Sequence, residues 1–154
     1  MAKPNKAQLR HEARALSLQA LYAWQLSGYP IEKVKENLLS DNPLLLDKIE
    51  SYDENYFNDI THSVAKHAET LDKEIDQYLD RHISQINPVE LSILRIALYE
   101  LKFNQEVPHK VVLNEAIILA KKFGAVDGHK YINGVLDKLA KQFRSDDMLV
   151  KQSA

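Results

Sequence analysis

The stretch that most constrains the fold of this chain runs from Asn87 to Phe103 and reads NPVELSILRIALYELKF. Its first residues are typical of a helix start. Asn87 suits the N-cap, Pro88 suits the first helical position, and Glu90 stands where it can close a capping box. At about 100° per residue, its apolar side chains cover an arc of roughly 240°, far wider than the roughly 100° stripe of a surface helix. The stretch is also shorter than the roughly 20 apolar residues that cross a bilayer. It therefore predicts the buried central helix of an all-α domain.

A few polar and aromatic side chains interrupt this apolar helix. The wedge outside the apolar arc holds Ser92, Arg95, Tyr99 and Lys102. Glu100 lies inside the arc, and a buried carboxylate needs a partner. We therefore expect Glu100 to meet a cation or backbone amides from a neighbouring helix.

The rest of the chain also reads as helical, without any strand pattern. The periodicity predicts helices at about residues 5–26, 31–39, 52–67, 71–83, 109–123 and 128–143, with one turn at 44–49. We expect a compact bundle of about seven helices at residues 1–145, in subdomains of about 1–83 and 84–145, and a flexible tail at 146–154. Gly134 lies inside the last helix, where glycine costs about 1 kcal/mol against alanine. We expect it to allow close helix–helix approach.

Composition narrows the class of protein. The chain has no cysteine, which excludes disulfides and thiolate zinc sites and favours a reducing compartment, so we expect a cytoplasmic protein. The first residues lack the apolar segment of a secretory signal. The formal net charge is −2, so nucleic-acid binding would need a local basic patch.

Sequence signals for catalysis are missing. There is no phosphate-binding loop, dinucleotide motif or nucleophile elbow, and the histidines lack metal-ligand spacing, so we expect neither an enzyme nor a cofactor or metal site. An acidic row at Asp72, Asp76 and Asp80 is interpreted as a solvated helix face rather than a catalytic pair.

A basic row opens the first helix. Lys6, Arg10 and Arg14 recur every four residues on one face, with Lys3 ahead of them and His11 alongside. Such a row is either solvated surface or a strip that follows RNA phosphates. Cations at a helix N-terminus oppose the helix dipole, which favours a use beyond stability.

Four segments carry a more specific signal. They are ARALSLQALYAWQLS (13–27), PVELSILRIALYEL (88–101), VPHKVVLNEAIILAKKFG (107–124) and DGHKYINGVLDKLA (127–140). In this order and at this spacing, they resemble the NusB family of bacterial transcription antitermination factors. The resemblance runs from the first helix to about Phe143.

The resemblance implies a fold and a set of partners. It implies an all-helical domain without catalysis or cofactor, which pairs with the small-subunit ribosomal protein NusE. The pair would bind the boxA RNA of ribosomal RNA operons, and the RNA polymerase antitermination complex would then read through terminators. No membrane partner is implied, and some family members associate with themselves by covering the RNA-binding face.

The resemblance also implies functional residues, position by position. Its RNA-binding positions fall on Lys3, Lys6, Arg10, His11 and Arg14 in the first helix and on His129, Lys130, Tyr131 and Asn133 at the start of the last. Its partner-protein positions fall on Tyr22, Trp24 and Glu90. Its regulatory position falls on Asp127, which is also placed as an ordinary N-cap. We expect the two RNA-binding groups to lie close enough for one strand to cross both.

Some of these positions depart from the family pattern or have a second interpretation. Family members often have consecutive arginines where this chain has His11 and Glu12, which predicts a shallower salt dependence of RNA binding. Tyr131 either stacks on an unpaired base or packs half-buried, and Glu90 either contacts the partner or closes a capping box.

Two other functions remain open at this stage. A NusB-like domain guides RNA in an rRNA cytosine-5 methyltransferase, but that enzyme needs a further cofactor-binding domain, so the length of this chain counts against it. A pure protein-interaction module is the other, and in that case the basic row is only solvated surface.

Overall fold

A computed structural model describes residues 5–41 and 51–147 of the protein. In these ranges the chain forms α-helices and one short 3-10 helix but no strand, which confirms the all-α prediction. The helices are α1 (Lys6–Ser27), α2 (Ile31–Asp41), α3 (Glu54–Asp76), the 3-10 helix (Ile83–Gln85), α4 (Pro88–Phe103), α5 (His109–Phe123) and α6 (Gly128–Phe143). Lys3, the predicted turn at 44–49 and the tail from residue 148 lie outside the described residues. Among the helices described, none is both long and apolar enough to span a membrane.

The chain divides into two compact units, residues 1–66 and 67–154, and α3 contributes to both. Within the first unit, α1 packs against α2, and within the second, α4, α5 and α6 pack against one another. The sequence suggested a subdomain boundary near residue 83, beyond the end of α3, and that boundary stays a prediction.

Helix α1 begins and ends as its sequence predicts. The side chain of Asn5 accepts a hydrogen bond from the backbone N–H of Gln8 at 2.9 Å, and the Gln8 side chain accepts one from the Asn5 N–H at 3.1 Å. This reciprocal pair is a capping box. The helix ends at Gly28, whose φ of 73° lies in the left-handed region that favours glycine.

Helix α4 is the predicted central helix, and it is more buried than its pattern indicates. Every residue from Leu91 to Leu101 is buried, including Ser92, Arg95 and Tyr99 of the supposedly polar wedge. Glu100 is buried as expected. Phe103, by contrast, lies within the apolar arc and is 50% exposed.

A buried arginine requires a partner, and α3 supplies one for Arg95. The Arg95 guanidinium donates two hydrogen bonds of 2.7 Å to the carboxylate of Asp72. A second ion pair joins the same two helices, in which Lys102 donates to Glu74 at 2.7 Å. The interpretation of the acidic row as a solvated face is therefore wrong at Asp72, whose carboxylate holds α3 against α4.

Helix α3 replaces two predicted helices. The sequence suggested helices at 52–67 and 71–83, but one helix runs from Glu54 to Asp76. Residues 67–71 contain neither glycine nor proline, so nothing ends the helix there. The fading of the apolar pattern around Thr70 therefore indicated an exposed turn of the helix rather than a break.

The expected role of Gly134 is wrong. Gly134 is exposed in the middle of α6, and a Cβ added to it would meet no heavy atom within 4 Å. The close contact at a glycine of this helix lies at Gly128 instead, where an added Cβ would collide with the carboxylate of Glu90. Packing against neighbours therefore does not explain Gly134.

We expect Gly134→Ala to raise the free energy of unfolding by about 0.5–1 kcal/mol, because alanine has less backbone entropy to lose in a helix. Urea denaturation measures the change. Gly28→Ala is the matched control, and it should destabilise by about 1 kcal/mol because its left-handed backbone disfavours a Cβ. A loss of stability in Gly134→Ala would show that this glycine has a structural role.

Candidate functional site

The basic row of α1 is not a uniformly exposed strip. Lys6 is exposed, but Arg10 and Arg14 lie over the ring of Tyr56, with their guanidinium carbons 4.4 Å and 5.3 Å from its centroid. Arg10 keeps part of its side chain at the surface and lies 3.9 Å from a carboxylate oxygen of Asp53. Arg14 is only 3% exposed.

This arrangement changes which cations are available to a polyanion. A guanidinium stacked on an aromatic ring is held in place, and the contact adds about 0.5–1 kcal/mol at exposed sites. The exposed charge at the start of α1 therefore comes from Lys6 and the accessible part of Arg10, while His11 is half-buried. The predicted RNA contact of Arg14 has no exposed guanidinium to support it and stays a prediction.

A second group of predicted residues opens α6. Lys130 and Asn133 are exposed, whereas His129 and Tyr131 are half-buried. The hydroxyl of Tyr131 donates a hydrogen bond to Asp80 Oδ1 at 3.1 Å. The four positions thus present cationic, amide and aromatic side chains within about the first turn and a half of α6.

Tyr131 contacts Asp80, which the sequence analysis assigned to a solvated acidic row, and Arg81, which it did not single out. The guanidinium carbon of Arg81 lies 4.7 Å from the centre of the Tyr131 ring, and Arg81 Nε donates to Asp80 Oδ1 at 2.8 Å. We call Asp80, Arg81 and Tyr131 the Tyr131 cluster. The adjacent opposite charges of Asp80 and Arg81 were visible in the sequence, but their position against Tyr131 depends on the packing of α6.

The protonation states of the Tyr131 cluster are fixed around neutral pH. The hydrogen bond from Arg81 lowers the pKa of Asp80, so its carboxyl is ionised. Burial raises the pKa of the Tyr131 phenol, and its hydrogen bond to Asp80 raises that pKa further. Tyr131 therefore remains a neutral donor around neutral pH.

Asp127 occupies the N-cap position of α6 but does not cap it. Its φ of 66° places it in the left-handed region, and its side chain makes no capping hydrogen bond. One carboxylate oxygen lies 3.5 Å from Lys130 Nζ instead. The capping prediction for Asp127 is wrong, and its regulatory role stays a prediction.

Glu90 also departs from its predicted local role. The side chain of Asn87 accepts from the N–H of Val89 at 2.8 Å, so the reciprocal capping box with Glu90 does not form. The Glu90 carboxylate lies against Gly128 at the first residue of α6. Glu90 thus connects the start of α4 to the start of α6.

Glu90 is expected to titrate above the ordinary range of a glutamate. Burial raises the pKa of its carboxyl, and the nearby Arg81 guanidinium opposes that shift. We expect carbon-detected NMR to show a raised Glu90 pKa, and a still higher one in Arg81→Gln. A raised folded-state pKa contributes stability at low pH that is lost as pH rises through that pKa. Glu90→Gln should therefore stabilise the protein at pH 7 but not below about pH 4, near the unfolded value. An unshifted titration would contradict this account.

The predicted partner-protein residues of α1 lie towards its C-terminal half. Tyr22 is exposed and Trp24 is half-buried. Leu26 and Tyr29 are each 59% exposed, so this end of α1 carries more exposed apolar surface than the sequence analysis noted. Contiguous exposed apolar groups are typical of protein-interaction sites. The assignment of Tyr22, Trp24 and Glu90 to a partner stays a prediction.

The described residues show no arrangement suited to a metal ion, since in those ranges no three His, Cys, Asp or Glu side chains are grouped as ligands. The predicted RNA-binding positions at the starts of α1 and α6 instead include two exposed lysines, Lys6 and Lys130, and one aromatic ring, Tyr131.

Comparison with known proteins places the chain in a family. A family model described as the NusB family matches residues 11–141. The chain belongs to the NusB family. The transcription antitermination protein NusB of Alcanivorax borkumensis is 44% identical over 144 residues, which cover 94% of this chain and 93% of that protein. The protein of the same name from Shewanella amazonensis is 46% identical over 84% of this chain and 93% of its own length.

Solved structures of the NusB family share the fold. The crystal structure of NusB from T. maritima superposes with a TM-score of 0.76 at 25% identity, covering 96% of this chain and 99% of that one. A crystal structure of the antitermination factors NusB and NusE in complex with dsRNA gives a TM-score of 0.75 at 25% identity, covering 86% and 96%. The NusB resemblance and the fold expected from it are therefore confirmed.

Proposed function

We propose that this protein is a transcription antitermination factor. Together with the ribosomal protein NusE it binds the boxA RNA of ribosomal RNA operons, and the complex promotes read-through by RNA polymerase in the cytoplasm. The observation that carries the proposal is membership of the NusB family over residues 11–141. A NusB of the same fold has been solved with NusE and RNA. The role is one of binding rather than catalysis.

Two groups of side chains support RNA binding. The first turn of α1 exposes Lys6 and part of Arg10. The start of α6 exposes Lys130 beside the Tyr131 cluster, where an aromatic ring and a guanidinium plane are both surfaces on which unpaired bases stack. The lysines supply the charge that phosphates need, and the cluster supplies contact with bases.

The binding of NusE is supported by the exposed apolar end of α1. Tyr22 and Leu26 lie four residues apart and therefore on one face of the helix. A partner that covers this face would bury apolar surface at about 25 cal/mol per Å². The match to an antitermination protein covers 93% of that protein's length. This coverage favours an antitermination factor over the RNA-guiding domain of a methyltransferase.

Charge reversal at the exposed lysines tests the RNA-binding proposal. Lys6→Glu and Lys130→Glu should each weaken boxA RNA binding several-fold and lower the slope of log Kd against log salt by about 0.7 or more. Fluorescence anisotropy with NusE present measures both quantities. The buried Arg14 is unsuitable, because its replacement would disturb the fold.

Lys33→Glu and Lys121→Glu are matched controls for this experiment. Both lysines are exposed, and each substitution changes the net charge by the same amount outside the predicted site. If all four variants lost affinity equally, the effect would be one of overall charge, and the assignment of Lys6 and Lys130 would be wrong.

A further inference from the structure

The outer face of α5 is assigned above to neither RNA nor NusE. The inner face of this helix packs against α4 and α6 and buries Val112, Ala116 and Leu119. The exposed residues of the helix are Lys110, Val111, Asn114, Ile118, Lys121 and Lys122. We call these six residues the α5 face.

Two large apolar side chains form the centre of the α5 face. Val111 is 41% exposed and Ile118 is 38% exposed. They are seven residues apart, which is two turns, or about 10 Å, along the same side of a helix. Exposed apolar groups at this spacing are the pattern that a partner helix covers. We call Val111 and Ile118 the apolar centre.

Lysines line both edges of the α5 face. At about 100° per residue, Lys110 and Lys121 lie on one side of the apolar centre, and Lys122 lies on the other. Lys110 and Lys121 form no ion pair with any residue that the structure describes. The single carboxylate of α5, Glu115, is half-buried rather than exposed. The α5 face is therefore apolar in the middle and cationic at both edges, on a chain whose formal net charge is −2.

The chemistry of the α5 face favours a protein partner over a nucleic acid. Unpaired bases stack on aromatic rings or guanidinium planes, and the α5 face supplies neither. An RNA strand would use the lysines alone and leave the apolar centre without a partner. A protein segment uses both, since protein interfaces combine an apolar core with a polar rim.

A second copy of this chain is disfavoured as the partner. A twofold dimer brings the same patch of both subunits together, so the three lysines of one copy would face the three lysines of the other. Like charges brought together at an interface oppose association. The charge of the α5 face therefore requires a partner of opposite charge.

We propose that the α5 face binds an acidic amphipathic helix of another protein. The apolar side chains of that helix cover the apolar centre, and its carboxylates pair with the three lysines. Helix α5 has 15 residues and is therefore about 22 Å long, which leaves room for about four turns of a partner helix laid along it. This surface is a third contact in addition to those proposed for RNA and NusE, and it depends on neither.

A synthetic helical peptide of about four turns tests the proposal on the intact protein. Its leucines stand at i, i+4 and i+7 with glutamates on either side, and the control peptide has lysines in place of the glutamates. Two-dimensional NMR of the isotope-labelled protein should show saturable shifts of α5 amides with the acidic peptide and none with the basic peptide. If the acidic peptide shifts no α5 amide, or if both peptides bind alike, the proposal is wrong.

A charge swap on the protein tests the role of the lysines. The double variant Lys110→Glu/Lys121→Glu should lose affinity for the acidic peptide by about ten-fold and bind the basic peptide instead, because the charge pairs across the interface change sign. Lys33→Glu/Lys141→Glu makes the same change in net charge at exposed positions of other helices. This control should bind the acidic peptide within about two-fold of wild type. An unchanged peptide preference in the charge-swap variant would overturn the proposal.

Ile118→Ser tests the apolar centre. It should weaken binding of the acidic peptide about ten-fold, since covering one isoleucine side chain contributes that much. Leu26→Ser, at an exposed position of α1, is the matched control and should leave the peptide affinity unchanged. Fluorescence anisotropy gives these affinities, and urea denaturation confirms that the variants are folded. If Ile118→Ser binds the peptide as wild type does, charge alone attracts the peptide and no helix docks on the α5 face.

Two other results would assign the α5 face to a different partner and overturn the proposal. One is a wild-type dimer in sedimentation velocity that Ile118→Ser dissociates, which would identify the partner as a second copy. The other is a mixed-sequence RNA that shifts α5 amides in wild type but not in Lys110→Glu/Lys121→Glu. Binding of boxA RNA with NusE present should be the same in this variant and in Lys33→Glu/Lys141→Glu, so the proposed function is tested separately.

Discussion

Replacement of Arg144 by alanine is expected to lower the free energy of unfolding by about 3–5 kcal/mol, because it leaves a cavity at a fully buried side chain and removes hydrogen-bond donors from buried carbonyls. Arg144 follows α6 and is only 1% exposed. Its guanidinium donates to four backbone carbonyls around the end of α4, at distances of 2.8–3.1 Å; they are those of Glu100, Leu101, Asn104 and Val107. It also pairs with Asp147 at 2.9 Å.

The size of this effect follows from the position of those carbonyls. The carbonyls of Glu100, Leu101 and Asn104 each also accept from a donor nearby in the chain, so the loss falls mainly on the Val107 carbonyl and on the packing of the Arg144 side chain; a buried carbonyl that loses its donor costs about 1–3 kcal/mol. Arg144 supplies donors in a planar fork, which binds α6 to the end of α4 and to the link that follows it. It therefore acts as a C-terminal cap delivered from another helix.

Two controls separate this geometry from charge. Arg144→Lys should recover less than half of the lost stability, because an ammonium has three donors at one point and no fork. Lys141→Ala removes an exposed cation from the last turn of the same helix and should change stability by no more than about 0.5 kcal/mol. A loss below about 1 kcal/mol in Arg144→Ala in urea denaturation would contradict the proposed cap.

Replacement of Asp72 by alanine is expected to cost about 2–3 kcal/mol, the second-largest effect. The substitution leaves the guanidinium of Arg95 without its carboxylate partner. Arg95 is only 4% exposed, and it donates two hydrogen bonds of 2.7 Å from α4 to Asp72 on α3. The estimate lies below that for Arg144 because Asp72 is half-buried and water reaches it.

The two partners of this ion pair should differ in cost. Arg95→Met leaves a carboxylate that water can solvate and fills much of the space of the guanidinium stem, so it should cost less than Asp72→Ala. A double-mutant cycle in urea measures the coupling, for which we expect about 1–2 kcal/mol. Equal costs for both single variants, with no coupling, would show that the pair contributes packing alone.

Local signals in the sequence predicted where several helices begin and end. The proline start of α4 and the end of α1 at about residue 26 depend only on a few neighbouring residues, whereas the capping box of Asn5 and Gln8 was seen first in the structure. Such signals act before any tertiary contact exists, so the sequence alone contains them. The wide apolar arc of α4 likewise predicted its burial.

What the sequence could not show is which surface covers which residue. Periodicity placed Arg95 in a polar wedge and Arg14 in a basic surface row. Both are buried beside partners on α3, which are Asp72 and Tyr56. The sequence pattern of a cation on an amphipathic helix is the same whether the side chain faces water or a carboxylate of another helix. Arg144 was missed for the same reason, because its acceptors lie some 40 residues earlier in the chain.

The candidate site likewise contains some residues that the sequence predicted and others that only the structure revealed. Resemblance to the NusB family supplied Lys130 and Tyr131, but Arg81 belongs to an irregular segment that carries no periodic signal. Its contact with the Tyr131 ring exists only because α6 packs beside that segment. Gly134 was conspicuous in the sequence, and only the absence of any neighbour around it showed that packing does not explain it.

Size-exclusion chromatography of this protein mixed with NusE and a boxA RNA tests the central claim most directly. We expect all three to elute together, whereas a scrambled RNA of equal length should elute apart from the protein pair. If boxA and scrambled RNA elute alike, either both bound or both unbound, the chain is not a boxA-specific antitermination factor.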